Sequence, residues 1–232
     1  FTKNKNYQIK IKKDKIFVNI IYKTFNIFGS LGENANEIIK KIRKDETLLR
    51  IIDGEVYDNV NIIAHTRWAS TGKVNLPNTH PIVNLAKESS KVPMLFSVMN
   101  GEIKNYKKLI LANKKLTNVK YNTTTTSDTL ALSLLLANNF NIEGANNNLQ
   151  NKLKNIEGSF ASISICDEDI SKVILIRMGN TGIYYGKNKD RKIFSSDANG
   201  LVEESKKFCE IKKNTFCVID SFDNKSEIRL NN

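Results

Sequence analysis

The chain has 232 residues and a formal charge of +12, 36 Lys+Arg against 24 Asp+Glu, a length that suits one domain with its own hydrophobic core. Two histidines and three cysteines without C-x-x-C spacing argue against a zinc ribbon, a metal site or a secreted disulfide scaffold, and no apolar run approaches the ~18 residues of a membrane span. Thirty of the cations are lysines, spread from Lys3 to Lys225 with no aromatics alternating among them in a recognisable RNA-binding pattern, which reads as a solvated surface and argues against nucleic-acid binding.

The first third alternates apolar and polar residues at strand period over Tyr7–Lys12, Lys15–Tyr22 and Thr24–Gly29, with Lys13-Asp14 as a candidate turn. Glu33–Arg43 changes to helix period, with Ala35, Ile38, Ile39 and Ile42 on one face. Val60–Ala64 reads as a short apolar strand. The stretch from Thr66 to Val92 has little periodicity and is longer than an ordinary connection, which marks it as a candidate functional loop. Met94–Met99 reads as a strand broken by Asn100-Gly101, Ile103–Leu111 as a helix, and Thr129–Ala137 as an apolar helix capped by Ser127 or Asp128. A weak helix over Asn146–Ile156 precedes strand-like runs at Ser159–Cys166, Lys172–Arg177, Gly182–Tyr185, Lys192–Phe194, Phe208–Ile211 and Thr215–Ile219. Strands at both ends with helices between them predict an α+β domain with two packed sheets.

Four local signals carry chemistry. His65-Thr66-Arg67-Trp68-Ala69-Ser70-Thr71-Gly72 follows the Val60–Ala64 run and holds the only tryptophan. A core-plugging Trp68 accounts for the ring, but Arg67 at the start of a long polar loop also suits a bidentate grip on a carboxylate. Asn100-Gly101 reads as a hairpin turn, or as an oxyanion hole in which a side-chain amide stands beside a glycine N–H. Ser127-Asp128-Thr129 reads as a helix cap, or as a carboxylate receptor for a substrate ammonium. Asn78-Thr79-His80-Pro81 places a lone histidine in the loop, where a structural role is the ordinary one.

Taken together, these motifs resemble the glutamine-binding domain of class II glutamine amidotransferases, a branch of the N-terminal-nucleophile hydrolases, with the nearest likeness to the glucosamine-6-phosphate synthase family. That family has a strand ending in His-Thr-Arg-Trp-Ala-Thr-His-Gly, a later His-Pro, a strand ending in Asn-Gly, and Thr-Asp-Thr at a helix start. HTRWASTG, Thr79–Pro81, the NGEIKNY run from Asn100 to Tyr106, and Ser127–Thr129 match it in order and spacing. Glu157-Gly158-Ser159-Phe160-Ala161 and Ser195-Ser196-Asp197 resemble two further family segments. The resemblance implies a four-layer αββα sandwich of two antiparallel sheets and one domain spanning 1–232. It also implies glutamine hydrolysis to glutamate and ammonia for amino-sugar synthesis, with no cofactor and no metal. Arg67 would bind the α-carboxylate of glutamine and Asp128 its α-ammonium. Asn100 and the N–H of Gly101 would form the oxyanion hole. Trp68 would sit in the loop that closes over glutamine, Ser70 would offer a hydroxyl to the carboxylate, and His80 would anchor that loop. Thr71 stands where the family has a second loop histidine. The implied partners are glutamine and a sugar-isomerase-type synthase domain or subunit that receives ammonia, with assembly into a homo-oligomer as an option. No partner is a nucleic acid or a membrane, and the implied location is cytoplasmic.

The family reaction needs an N-terminal cysteine, whereas residue 1 is Phe and the usual Cys-Gly-Ile strand is absent from this sequence. Cys166 ends the apolar run Ser159–Cys166, and Cys209 and Cys217 lie in C-terminal strand-like runs and read as small core hydrophobes, so none substitutes for that cysteine by position. Three readings follow: a fragment whose nucleophile strand lies upstream, a nucleophile-less glutamine-binding or regulatory module, or Thr2 exposed as a nucleophile by removal of Phe1.

Overall fold

The computed structural model describes residues 5–12, 15–26, 32–54, 57, 59–67, 73–84, 92–116, 124–139, 147–189 and 191–220. It opens with a two-stranded antiparallel ladder, β1 (Lys5–Lys12) on β2 (Lys15–Tyr22), in which Lys12 pairs with Lys15 and Lys5 with Tyr22. Two amphipathic helices follow, α1 (Glu33–Arg43) and α2 (Glu46–Gly54), with Asp45 between them. Asp45 accepts a hydrogen bond from the Tyr22 hydroxyl at 2.5 Å, and its Oδ1 accepts one from the Leu48 N–H, so it ties β2 to the start of α2. Sequence periodicity located α1 but not α2, whose nine residues are too few to display a full apolar stripe.

The centre is a five-stranded antiparallel sheet in the order β10-β6-β5-β4-β3. Its strands are β3 (Ile82–Val83), β4 (Leu95–Ile103), β5 (Gly158–Cys166), β6 (Asp169–Met178) and β10 (Thr215–Asp220). The strand period of two divides its side chains between two cores. One face sends Leu95, Met99, Ile103, Phe160, Ile174 and Ile176 against the helices α4 (Thr129–Asn139) and α5 (Asn147–Lys154). The helix α3 (Tyr106–Leu116) packs against α4 and closes that layer. The other face sends Ala161, Leu175, Cys217 and Ile219 against Ile183, Tyr185, Phe194 and Ile211. Those last residues belong to or flank a three-stranded sheet ordered β8-β7-β9, with β7 at Tyr184–Asn188, β8 at Arg191–Ser195 and β9 at Phe208–Glu210. The one-turn helix α6 (Asn199–Val202) packs on β7 and β8. The protein is thus an α+β sandwich of antiparallel sheets, as the strand and helix order predicts.

A buried arginine ties the two sheets together. Arg177 on β6 is 3% exposed; its Nη2 donates to Glu210 Oε1 at 2.6 Å and its Nη1 donates to the Ile211 carbonyl.

Three local expectations need correcting. Val60–Ala64 forms no strand: Val60 is 63% and Ile62 85% exposed, so an apolar run here finds no sheet to pair with. Asn100-Gly101 does not break its strand, because β4 continues through it to Ile103. The helix expected from Ile103 starts at Tyr106, since Ile103 still pairs with Gly158 and its side chain is core. In addition, Cys209 is exposed on β9, whereas Cys166 and Cys217 are buried as expected. The end of the Thr24–Gly29 run lies outside the described residues, and Thr24–Asn26 is not in a strand.

Candidate functional site

β4 and β5 meet at their Asn100–Ile103 end through two glycines. Gly101 has φ +101°, and a Cβ there would stand 2.2 Å from the Ser159 carbonyl oxygen. Gly158 has φ +144°, and its Cβ would stand 2.2 Å from the Glu102 carbonyl oxygen. Glycine is therefore required at 101 by the neighbouring strand as well as by the backbone angle. The ladder register places Asn100 opposite Ala161, Ala161 opposite Arg177 and Arg177 opposite Thr215, so Asn100 belongs to the row that faces the second sheet. Asn100 and Gly101 are both exposed, which leaves the amide and this stretch of backbone open to a ligand.

Asp128 lies just beyond that strand end. It is 7% exposed, and its carboxylate is held by backbone donors: Oδ2 accepts from the Ile103 N–H at 2.8 Å and Oδ1 from the Thr129 N–H at 3.0 Å. Burial pushes its pKa above the ordinary carboxylate range, while these N–H donors pull the other way. The residue occupies the start of α4, but its side chain bonds the N–H of the first helical residue, Thr129, and not that of the second or third as an ordinary cap does. It joins α4 to β4 instead. The Ser127 hydroxyl also donates to Oδ1, at 3.5 Å.

The two histidines meet beside it. His80 Nδ1 lies 2.8 Å from His65 Nδ1, and His80 Nε2 lies 3.0 Å from Thr129 Oγ1. His65 also donates to the backbone at Met99, a bond that favours its charged form. Burial nevertheless lowers its pKa to about 4, with the Arg67 guanidinium adding to the effect. His80 is lowered to about 2, first by burial, then by the charges of His65, Arg67 and Lys23. Arg67 is half-buried, two residues after His65, and its field reaches both rings. Lys23, at the end of β2, is itself lowered to about 8 by burial. A cationic side and a carboxylate side thus face the same end of β4, which is the charge pattern an amino-acid zwitterion requires.

The loop ahead of His80 is pinned by Asn78, which is fully buried. Its Nδ2 donates to the Lys73 carbonyl and to Thr126 Oγ1, both at 2.9 Å, and its Oδ1 accepts from the Thr126 N–H at 2.7 Å. Trp68 and Ser70 lie outside the described residues. Among the described residues no group of His, Cys, Asp and Glu is arranged to hold a metal, and no helix is long and apolar enough to cross a membrane.

The model of the glutamine amidotransferase domain matches residues 80–203, just over half of the chain. The chain belongs to the glutamine amidotransferase domain family. The matched span contains His80, Asn100, Gly101 and Asp128 and begins after Arg67. Relatives named glutamine–fructose-6-phosphate aminotransferase [isomerizing] include one from Buchnera aphidicola, 28% identical over 185 residues. That alignment covers 80% of this chain and 27% of the relative. One from Francisella tularensis is 30% identical over 161 residues, covering 68% of this chain and 24% of the relative. The chain thus spans about a quarter of the length of these two relatives. Among solved structures, an allosteric regulatory enzyme of purine biosynthesis superposes with TM-score 0.58 at 14% identity, over 94% of this chain and 41% of that one. Glutamine phosphoribosylpyrophosphate amidotransferase from B. subtilis gives 0.56 at 15% identity, with the same coverage. At such identities these two speak for the fold.

In this amidotransferase domain the sequence singled out Arg67, His80, Asn100, Gly101 and Asp128: Asn100 and Gly101 lie on β4, Asp128 is tied to β4 at Ile103, His80 meets Thr129 beside it, and Arg67 acts on the two histidines through its charge. It did not single out His65, Asn78, Thr129 or Lys23. Asn78 had a signal in its place before Thr-His-Pro. His65 and Thr129 lay inside two of the quoted motifs without a role of their own, and Lys23 had no signal, because their roles come from contacts between segments distant in the chain.

Proposed function

We propose that this domain binds glutamine and, with an N-terminal cysteine supplied from upstream of Phe1, hydrolyses its side-chain amide to glutamate and ammonia. In this reading the ammonia passes to a sugar-isomerase-type synthase domain or subunit that builds an amino sugar on fructose 6-phosphate, in the cytoplasm. The observation that carries the reading is the convergence at the end of β4. Asp128 is tied to Ile103, two residues from Gly101, while the field of Arg67 reaches His65 and His80 beside Thr129. Arg67 takes the α-carboxylate and Asp128 the α-ammonium, so the side-chain amide of the ligand projects toward Asn100 and Gly101. A thiolate attacks the amide carbon, its free α-amine acts as the base, and the tetrahedral oxyanion rests on the Asn100 amide and the Gly101 N–H. Ammonia leaves, and water cleaves the glutamyl thioester.

The second reading, a glutamine-binding or regulatory module without turnover, is favoured by the cysteines of the described residues. Burial pushes the Cys166 thiol up to about 11 and the Cys217 thiol up to about 12, so neither provides a thiolate near neutral pH. Ammonia release separates the two readings. The 232-residue chain is expected to show no glutaminase activity, and a form extended upstream by a segment starting Cys-Gly-Ile is expected to show it. A Cys→Ala version of the extended form should be silent. Turnover by the 232-residue chain, or labelling of an internal cysteine by a glutamine-analogue electrophile that stops it, would refute the nucleophile assignment.

A further inference from the structure

We infer that His65 and His80 are positioning residues of the glutamine site: with Thr129 they close a ring of hydrogen bonds that holds Arg67, Asp128 and Asn100 in fixed relation. The inference rests on the reading of Arg67 and Asp128 as receptors for the two charges of the ligand. The ring leaves β4 at Met99, passes to His65 and then His80, and crosses 3.0 Å to Thr129 Oγ1. It continues through the Thr129 N–H to the Asp128 carboxylate and returns to β4 at the Ile103 N–H. The strand segment it encloses is Asn100–Gly101–Glu102. Asn100 follows one ring member, Arg67 stands two residues from another, and Asp128 is itself a member. The β3–β4 register agrees: Ile82 pairs with Ser97, so continuing it two residues outward brings His80 level with Met99.

The direction of each bond can be worked out. A bond to backbone that favours the charged imidazole is one the ring donates, so Met99 contributes its carbonyl. With Nδ1 turned to His80, His65 donates through Nε2 and its Nδ1 is bare. His80 therefore donates through Nδ1, its Nε2 is bare, and it accepts the Thr129 hydroxyl proton. A neutral imidazole is the side chain that accepts at one end and donates at the other, which a buried relay of this kind requires. Arg67 from the 59–67 segment and Lys23 from the end of β2 are the cations whose fields act on His80, and they oppose a charged ring. The Asp128 carboxylate is turned to the Ile103 and Thr129 N–H groups.

Because the chain has two histidines, ring ¹⁵N–¹H spectra of the whole 232-residue protein contain two rings, assigned with His65→Gln. One should be the Nε2–H form (His65) and the other the Nδ1–H form (His80), and neither should titrate between pH 7 and 5. Two Nε2–H rings, or a ring titrating near its free value, would overturn the ring. Glutamine affinity by calorimetry tests the positioning. Thr129→Val removes only the hydroxyl and should weaken binding about fivefold, the worth of one net hydrogen bond, while Thr129→Ser restores it. His80→Leu should weaken binding by about tenfold or more, and His80→Asn, which keeps a donor near Nδ1, by less. Unchanged affinity in Thr129→Val and His80→Leu overturns the inference. If His80→Leu does not fold, the Thr129 pair decides alone. Arg67→Lys, measured alongside, reports on the underlying reading: unchanged affinity there defeats the site assignment, whatever the histidine variants do.

Discussion

At the scale of single residues, Arg67 and Asp128 differ in what their removal exposes. Arg67→Lys keeps the charge and loses the planar fork, so glutamine affinity measured by calorimetry is expected to fall about tenfold or more while the melting temperature holds. Asp128→Asn is expected to lose both binding and stability. Asparagine caps a helix about as well as aspartate, but here both carboxylate oxygens accept backbone N–H groups, and an amide nitrogen would face one of them. The expected destabilisation is about 1–3 kcal/mol, read from chemical denaturation; no loss of stability would reduce the residue to an ordinary cap. The histidines set a pH dependence. Both folded pKa values lie below the free value of 6.5, so the unfolded chain binds protons that the folded chain refuses. Stability is fully present above about pH 6.5 and declines as the pH falls from there toward 4, by an amount on the order of a few kcal/mol. Asp128, raised by burial, works in the opposite direction. Denaturation midpoints measured from pH 7.5 to 5 should fall in the wild type and stay flatter in His80→Asn.

At the scale of elements, α4 is the helix on which the site depends. Every residue from Thr129 to Ala137 is buried, with Leu132, Leu135 and Leu136 turned to the sheet and Leu130 and Leu134 packed with Ile82. An apolar run of this kind is legible in sequence as a core helix because both of its faces meet protein. Leu132→Ala should cost about 2–5 kcal/mol by denaturant titration and leave glutamine affinity little changed, since the cavity forms on the side turned to the sheet. A loss under 1 kcal/mol would show that the site collapses around the deletion. The misread elements have physical reasons. Ile62 belongs to an apolar run that has no sheet to join, so composition alone mislabels it. Asn100-Gly101 carries the dipeptide signal of a hairpin turn, yet the pairing with Ala161 and Phe160 carries the strand straight through.

At the scale of the molecule, Arg177 carries a charge across the seam between the two sheets, with the buried Thr215 opposite it in the ladder. Arg177→Met keeps most of the stem volume and strands the Ile211 carbonyl, so the expected loss is about 1–3 kcal/mol. Glu210 is half exposed, and Glu210→Gln should cost at most about 1 kcal/mol. Equal losses for the two, measured by denaturation, would mean that the ion pair and not the carbonyl bond holds the seam. The family and the sandwich were readable because ordered motifs recorded them in the sequence. The meeting of His65 with His80 was not, because nothing local to either residue announces a contact made across a loop. Nor was the order of the central sheet, in which β10 joins β6 and β5 joins β4 across long stretches of chain.

The two glycines at the end of the β4–β5 ladder bear on how this protein tolerates change over generations. Both positions are exposed, and surface positions ordinarily accept most substitutions. Here each lacks room for even one methyl group, because the facing backbone oxygen already occupies it. The obstruction is reciprocal: relaxing one strand to admit an alanine at 101 shifts Ser159, which is bonded to the turn at Asn180 and Thr181, and so displaces the hairpin leading to the second sheet. A saturation library of the chain should therefore show two intolerant positions on an otherwise permissive surface, and no single replacement at one should rescue a replacement at the other.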